Sequence, residues 1–317
     1  MGKSPYLVWR AKAGHVAGVL MGKMNILRRY QMTSYVLGTL GWTWSFWGIL
    51  ILSGMSPRFW LWKELFVLGL SGPLAASMGM AYLIGGKAEI RRLLERAFPL
   101  RISLFWYLLA LGLLPLLMLG AAGLCRESLN KHPELFDSSL VALAPMFLWL
   151  LFRSGPVNEE FGWRGFLLPR LLQRASPFSS SLILGAIWTG WHWPLWFLSG
   201  VPHPHWPFGL FFLMVMALNF VFTWFYLKTK GSVLIAILFH GSINAGIKFI
   251  TILPPDFSSL APFIFLVGLA WIMAGVIILF DHRLWFGRLG AAHPPKILAD
   301  SIENRPSLKP SLPMGLK

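Results

Sequence analysis

Two adjacent carboxylates, Glu159 and Glu160, lie beside Arg164 in the stretch FRSGPVNEEFGWRGFLLPRL of an otherwise apolar chain. On a helix, Glu160 and Arg164 are one turn apart, so an ion pair could neutralise that acid. Glu159 points about 100° away from Glu160 and needs a different partner. The simpler alternative is that both acids are solvated at a helix end near the membrane interface. An ion pair at Glu160 would leave Glu159 as the acid available for chemistry.

Two other apolar stretches carry polar groups. WTGWHWPLWF contains His192 with Trp188 one helical turn earlier, and LFHGSINAG contains His240 and Asn244, which share one helix face at a spacing of four residues. Taken singly, His192 could be a hydrogen-bonded packing residue, and His240 with Asn244 a polar contact between helices. Neither stretch alone predicts a catalyst.

Together the three stretches predict a site inside the membrane. An ionisable side chain in a bilayer costs about 2.5–3.5 kcal/mol on insertion scales, so such groups face one another or a water-filled cavity. A buried glutamate beside a histidine could activate a water molecule. His240 and Asn244 could then donate hydrogen bonds to the oxyanion that develops on a scissile carbonyl.

Composition indicates the elements that must position these groups. The 317 residues are 56% hydrophobic and only 13% charged, which favours a polytopic membrane protein over a soluble one. The net charge of +16 comes from Lys and Arg in the gaps between apolar runs, so we interpret these residues as topology determinants and expect no nucleic-acid partner. Cys125 is the only cysteine, which excludes an internal disulfide.

The predicted fold is all-α, a polytopic membrane bundle of about eight transmembrane helices, because long apolar runs without alternation favour helices over strands. We expect a cytoplasmic N-terminal arm over 1–32, N-terminal transmembrane helices over 33–130, a catalytic transmembrane domain over 139–280 and a disordered cytoplasmic tail over 281–317. Basic connections at 86–101, 153–174 and 228–230 predict a plasma-membrane protein with both termini in the cytoplasm. The candidate spans are 33–54, 64–85, 102–124, 139–160, 181–199, 209–227, 232–250 and 260–280.

The order of the motifs, Glu159-Glu160-x-x-x-Arg164, Trp188-x-x-x-His192 and His240-x-x-x-Asn244, resembles the three signatures of the CPBP intramembrane proteases. This family is also described as CAAX prenyl protease 2, abortive-infection or lysostaphin-resistance-like. The motifs cover about 140–250 and leave the first 130 residues unmatched. Trp188 stands where the family more often has Phe.

The resemblance implies that Glu159 is the general base on water, assisted by His192, and that His240 and Asn244 stabilise the oxyanion. It implies that Glu160 and Arg164 shape the site, as Trp188 does. We expect no required cofactor, with zinc held by Glu159, His192 and His240 as the alternative.

The leading hypothesis is an endopeptidase that cleaves a membrane-associated or prenylated CAAX-type peptide, in a cavity open to the cytoplasm with Glu159 near the inner boundary. The alternatives are a non-catalytic membrane scaffold or immunity protein, and a transporter. His203 and His205 are expected on a solvated external turn. Asn219 is expected in a hydrogen bond between helices.

Overall fold

A computed structural model of the chain describes residues 29–96, 102–125, 140–250 and 259–286. These residues are helical, with no strand among them, which confirms the predicted all-α fold. Four helices are long and apolar enough to cross a membrane, and the pair formed by Trp60–Leu70 and Gly72–Glu95, bent by 45°, would make a fifth. The predicted count of eight spans is not confirmed. Most of the arm and most of the tail lie outside the described residues.

The α-helices of the described residues follow one another in chain order. They are α1 (Gln31–Ser53), α2 (Trp60–Leu70), α3 (Gly72–Glu95), α4 (Leu104–Leu124), α5 (Leu140–Arg153), α6 (Pro156–Glu160), α7 (Leu168–Leu172), α8 (Pro177–Trp191), α9 (Phe208–Lys228), α10 (Val233–Phe249), α11 (Ala261–Phe280) and α12 (His282–Phe286). A π-helical turn, Phe161–Leu167, joins α6 to α7, and 3₁₀ turns at Trp193–Phe197 and His203–His205 lie between α8 and α9.

The bundle has two ends, which we call the Gln31 end and the Ser53 end after the termini of α1. At the Gln31 end, Arg170 of α7 donates from Nε to the Gln31 side chain at 2.9 Å. The backbone N–H of Val233, where α10 begins, donates to the carbonyl of Arg96 at 3.2 Å, just after α3 ends. The ends of α3 and α7 therefore meet the starts of α1 and α10.

The Ser53 end contains the ends of α1, α5 and α8 and the start of α2. The indole N–H of Trp44 in α1 donates to the carbonyl of Trp191, where α8 ends, at 3.1 Å. Arg153, the last residue of α5, pairs at 3.5 Å with Glu64 in the first turns of α2. Because α1 is 23 residues long, about 34 Å separates the two ends.

The expectation that 153–174 forms one cytoplasmic connection is therefore wrong. Arg153 lies toward the Ser53 end, whereas Arg170 reaches the Gln31 end. The segment 139–160 is also not one continuous span, because Gly155 adopts a φ of 110° and separates α5 from α6. Pro156 then starts α6 at a position where its missing N–H costs no helical hydrogen bond.

The segment 181–199 likewise differs from an uninterrupted helix. The α-helix ends at Trp191, and Pro194 lies in the 3₁₀ turn that follows. Proline has no N–H to donate and clashes with the carbonyl four residues earlier, so an α-helix cannot continue unchanged through it. His192, which was expected near mid-span, is consequently the C-terminal cap of α8.

Close contact between elements brings the acids into the interior. At Gly162, in the π-helical turn, an added Cβ would lie 2.3 Å from the hydroxyl of Tyr35 in α1 and 2.7 Å from the carbonyl of Pro73 in α3. Glycine is thus required for this approach. It holds the π-helical turn, and Glu160 immediately before it, against two neighbouring helices.

Candidate functional site

Glu160 is the centre of a buried ionic cluster. Its Oε1 atom accepts from Arg164 Nη1 at 2.9 Å and from His240 Nδ1 at 2.8 Å. The side chains of Glu160 and Arg164 are fully buried, and that of His240 is 7% exposed. The ion pair predicted from the spacing is therefore present. The structure also pairs His240 with Glu160, a contact that the sequence does not predict.

Arg164 extends this cluster to a further helix. Its Nη2 atom donates to Asn219 Oδ1 of α9 at 3.0 Å. The guanidinium carbon lies 3.8 Å from the ring centre of Phe222 and 4.6 Å from that of Trp188, a cation–π arrangement on two sides. The prediction of an interhelical hydrogen bond for Asn219 is confirmed. A buried cation held in this way fixes the position of Glu160.

Glu159 occupies a separate environment. It is 2% exposed, and its Oε2 atom accepts from the indole N–H of Trp188 at 2.6 Å and of Trp163 at 3.4 Å. Its other oxygen, Oε1, packs against Gly155, where an added Cβ would lie 2.3 Å from it. Two N–H donors on one oxygen stabilise the ionised form of this acid. Glu159 and Glu160 therefore differ in partner: two indoles hold the first, and a guanidinium and an imidazole hold the second.

His192 is connected to the site through Trp188. Its Nδ1 atom lies 2.7 Å from the Trp188 carbonyl oxygen, which can only accept, so Nδ1 carries the proton. In the neutral ring, Nε2 is then the hydrogen-bond acceptor. Glu159 and His192 thus each have a hydrogen bond with Trp188, which lies between them. This role of Trp188 exceeds the site-shaping role expected from the sequence.

His203 lies above His192 at the Ser53 end. The two imidazole rings are stacked, with centres 5.9 Å apart and planes inclined by 26°. The expectation of a solvated turn is wrong for His203, which is partly buried and packs on Trp196 and Phe211. Burial lowers the pKa of His203 to about 4, so the ring is neutral at pH 7.

Asn244 lies one turn beyond His240 on α10. Its Nδ2 atom donates to the carbonyl and to the hydroxyl of Ser154, each at 3.0 Å. Both N–H groups of the amide are therefore engaged with the chain segment that leads into α6. Asn244 holds the Ser154–Gly155 turn in place, and it could donate to a substrate only by giving up one of these bonds.

These side chains surround one cavity of about 640 Å³. Glu159, Trp188, His192, His240 and Asn244 all line it, whereas Glu160 and Arg164 lie behind its wall. Most of the other lining residues are aliphatic or aromatic. The structure therefore brings all four residues predicted to be catalytic to a single concave surface, as enzyme sites require.

The alternative zinc set has less support from the geometry. Among the described residues, no three His, Cys, Asp or Glu side chains come together as a metal-binding group. His240 directs Nδ1 to Glu160, and His192 directs Nδ1 to a backbone carbonyl. Glu159, His192 and His240 line the same cavity without converging on one point.

The motif-bearing part of the chain matches known proteins. Residues 141–246 match the family described as type II CAAX prenyl endopeptidase Rce1-like. This segment of the chain is similar to that family. The matched segment runs from α5 into α10 and includes every residue of the candidate site. A relative in Methanococcus maripaludis, described as CAAX prenyl protease 2, is 33% identical over 162 residues.

That alignment covers 49% of this chain and 56% of the relative, so the chain spans just over half the length of the relative it matches. The Rce1-like segment includes three contributors that the sequence analysis did not place in the site: Trp163, Phe222 and Ser154. A signal for Ser154 was available, because it immediately precedes a Gly-Pro pair that typically marks a turn. Trp163 and Phe222 could not be distinguished from the many other aromatic residues of the chain.

Proposed function

We propose that the chain is an intramembrane endopeptidase that hydrolyses a peptide bond of a membrane-associated substrate. The proposal is based on the position of Glu159. This buried carboxylate lines the cavity and accepts hydrogen bonds from two indole N–H groups, and the described ion pair is formed by Glu160 instead. Such an acid is available to exchange a proton with water, whereas Glu160 is engaged by two cationic or potentially cationic side chains.

In the proposed reaction, Glu159 takes a proton from a water molecule, and the resulting hydroxide attacks the carbonyl carbon of the scissile bond. The tetrahedral intermediate collapses when the carbon–nitrogen bond breaks. The proton on Glu159 passes to the departing amine, which restores the carboxylate. Trp188 and Trp163 keep Glu159 oriented throughout, because both donate to the same oxygen.

His240 is the proposed donor to the oxyanion. Its Nδ1–H is fixed by Glu160, so its second nitrogen, Nε2, is directed away from the ion pair. In the imidazolium form, Nε2–H would donate to the developing negative charge, and the carboxylate of Glu160 would stabilise that form. Asn244 would contribute if one N–H exchanged Ser154 for the substrate.

His192 is proposed to orient the attacking water. Its neutral ring offers Nε2 as an acceptor, and Trp188 holds both His192 and Glu159. The step needs no metal. Zinc remains the alternative cofactor, and its contribution is open to a direct test.

The apolar lining favours a substrate with hydrophobic residues around the scissile bond. A prenylated CAAX-type peptide fits this description. The name of the Methanococcus relative, CAAX prenyl protease 2, points to the same kind of substrate. We therefore propose a lipid-anchored or membrane-inserted peptide as the substrate class, and a CAAX-type terminus as its first candidate.

The test uses the purified full chain in liposomes with a farnesylated CAAX peptide and with an unprenylated membrane peptide, and mass spectrometry identifies the products. Wild type should release a product that Glu159→Ala and His192→Ala do not release. Full cleavage by both variants would overturn the proposed roles of Glu159 and His192, and no cleavage by wild type would favour a scaffold. Ion-gradient-driven uptake that both substitutions abolish, without cleavage, would instead indicate a transporter.

A chelation arm tests the zinc alternative. If the proton-transfer mechanism needs no metal, the rate after dialysis against a chelator should equal that of the untreated protein. Loss of activity that added zinc restores would assign the metal a role. The readout of metal content by mass spectrometry is independent of the rate.

A further inference from the structure

Two basic side chains line a cavity whose wall is otherwise mainly apolar. Among the described residues that line it, Arg153 and Lys248 are the arginine and the lysine, and Glu159 is the acid. Arg153 is the last residue of α5, and Lys248 lies in the last turn of α10. Because α5 and α10 both end at the Ser53 end of the bundle, the two cations lie at the same end of the cavity.

Helix α10 sets the distance between the proposed oxyanion donor and one of these cations. His240, Asn244 and Lys248 follow one another at a spacing of four residues in one uninterrupted helix, and all three line the cavity. At a rise of 1.5 Å per residue, Lys248 lies about 12 Å along the helix axis from His240. An extended peptide covers about 3.3–3.6 Å per residue, so about three residues would span this distance.

The wall between His240 and Lys248 is suited to aliphatic side chains. Ile243 and Ile247 of α10 line the cavity along this stretch, and Leu150 of α5 also belongs to the lining. A short peptide that lay here would bury apolar side chains against these residues. It would meet a positive charge only where it reached Lys248.

The positive charge at this end is only partly neutralised within the protein. Arg153 Nη2 lies 3.5 Å from Glu64 Oε1, and the two side chains are 38% and 52% exposed, so this pair is weak. The ion pairs of the described residues do not include Lys248, whose side chain is exposed. The hydrogen bonds from Asn244 to Ser154 hold the residue after Arg153 beside the helical turn that precedes Lys248. The two cations could therefore act on one anionic group.

We propose that Lys248, assisted by Arg153, binds the C-terminal carboxylate of the substrate. The substrate class is then a peptide with a free chain terminus about three residues beyond the scissile bond. An ammonium group donates charge-assisted hydrogen bonds to a carboxylate, and a guanidinium group can donate two in parallel. This inference rests on the proposed peptidase function and names the terminus that the same cavity would select.

The test compares three peptides that share one farnesylated sequence, with the purified full chain in liposomes. One peptide ends in a free carboxylate, one ends in an amide, and one carries three further residues before its carboxylate. For wild type we expect kcat/KM to be about tenfold higher for the first peptide than for the other two, because the ionic contact stabilises its complex. Equal kcat/KM values for the carboxylate and the amide would overturn the proposal.

The difference between the peptides should lie in KM more than in kcat. A contact with the distant chain terminus stabilises the bound substrate and the transition state alike, so its loss weakens binding without slowing the chemical step. Added salt should reduce the preference, since Lys248 is exposed and its charge is screened. A preference that appeared in kcat alone would contradict a binding role for the two cations.

Variants of the lysine assign the preference to its charge. Lys248→Gln should bring the kcat/KM values of the carboxylate and amide peptides close together, whereas Lys248→Arg should retain the preference. Arg153→Gln should have the smaller effect, because Glu64 already occupies Arg153 in part. Lys63→Gln is the matched control, since Lys63 is an exposed cation of α2 that does not line the cavity. A preference that persists in Lys248→Gln, or that Lys63→Gln removes equally, would overturn the proposal.

Binding measured without turnover separates this inference from the proposed function. Glu159→Gln and the double variant Glu159→Gln/Lys248→Gln are titrated with fluorescent forms of the carboxylate and amide peptides. Tighter binding of the carboxylate that Lys248→Gln abolishes would support the carboxylate site even if wild type cleaved none of the peptides, and the proposed function alone would then fail. Cleavage of both peptides with no carboxylate preference in rate or binding would leave the peptidase and overturn the carboxylate site.

Discussion

Carboxylate–arginine pairs occur in two very different parts of this molecule. In the interior, Glu160 and Arg164 are fully buried and share their contacts with His240 and Asn219. At the Gln31 end, Arg91 and Glu95 have the same spacing of four residues, but their side chains are 77% and 63% exposed. The two pairs contain the same chemical groups but differ in their exposure to solvent.

Exposure to solvent determines how much each of these charge pairs contributes to stability. Water and salt screen the exposed pair, which contributes little to stability. Removing one partner of the buried pair leaves an uncompensated charge that water cannot reach. The buried pair therefore acts as a fixed support, against which Glu159 can be positioned a single residue away.

Arg164→Leu should produce the largest change in stability. We expect a loss of about 3–5 kcal/mol in the free energy of unfolding, because Glu160 would remain charged and buried. Thermal unfolding in detergent measures it, with Arg91→Leu as the exposed control that should change stability by less than about 0.5 kcal/mol. Equal effects of the two substitutions would remove the distinction between the regions.

Trp188→Phe should lower the cleavage rate by weakening the hydrogen bonding of Glu159. The substitution preserves an aromatic ring beside Arg164 but removes the N–H donor to Glu159. A hydrogen bond to a charged group contributes about 1.5–3 kcal/mol, so the cleavage rate should fall roughly 10–100-fold. Trp163→Phe, which removes the longer 3.4 Å bond to the same oxygen, should have the smaller effect. The reverse order would show that Trp188 acts through packing alone.

Gly155→Ala should disturb Glu159 without touching the ion pair. An alanine at a φ of 110° is strained by about 1–3 kcal/mol, and its Cβ would collide with the Glu159 carboxylate. We expect a rate reduction of about tenfold or more. Gly54→Ala is the matched control, since Gly54 also has a positive φ but faces open space. A similar loss of activity in the control would point to strain in general.

The pair of Asp281 and Lys228 at the Gln31 end should show the smallest effect. Burial raises the pKa of Asp281, but hydrogen bonds from Lys228 and Trp224 outweigh it and lower the pKa below its ordinary value. This stabilisation is therefore present above the ordinary pKa of an aspartate and is lost as the pH falls through the lower folded-state value.

Asp281→Asn should consequently cost less than about 1 kcal/mol at pH 7, because the partners are partly exposed. The difference from wild type should shrink as unfolding is measured at progressively lower pH near 3. A difference that persisted unchanged in acid would contradict the assigned cause.

The sequence predicts much of this arrangement. Spacing alone identifies the Glu160–Arg164 pair, because one helical turn separates the two residues, and polarity in apolar runs identifies His192, His240 and Asn244 as cavity residues. It could not identify which acid meets which histidine, because that depends on how α10 and α8 pack against α6. The position of Arg153 was also inaccessible: a hydropathy window does not detect that a glycine with positive φ divides an apolar run.

The adjacent carboxylates are assigned separate roles, which Glu159→Gln and Glu160→Gln can separate when they are measured side by side. Both are assayed in one preparation for thermal unfolding and for the initial rate of peptide cleavage. We expect Glu159→Gln to unfold within about 1 kcal/mol of wild type and to lose cleavage by about 10²–10⁴-fold. We expect Glu160→Gln to lose about 3 kcal/mol or more of stability. Retained cleavage in Glu159→Gln, or wild-type stability in Glu160→Gln, would show that the two acids do not have separate roles.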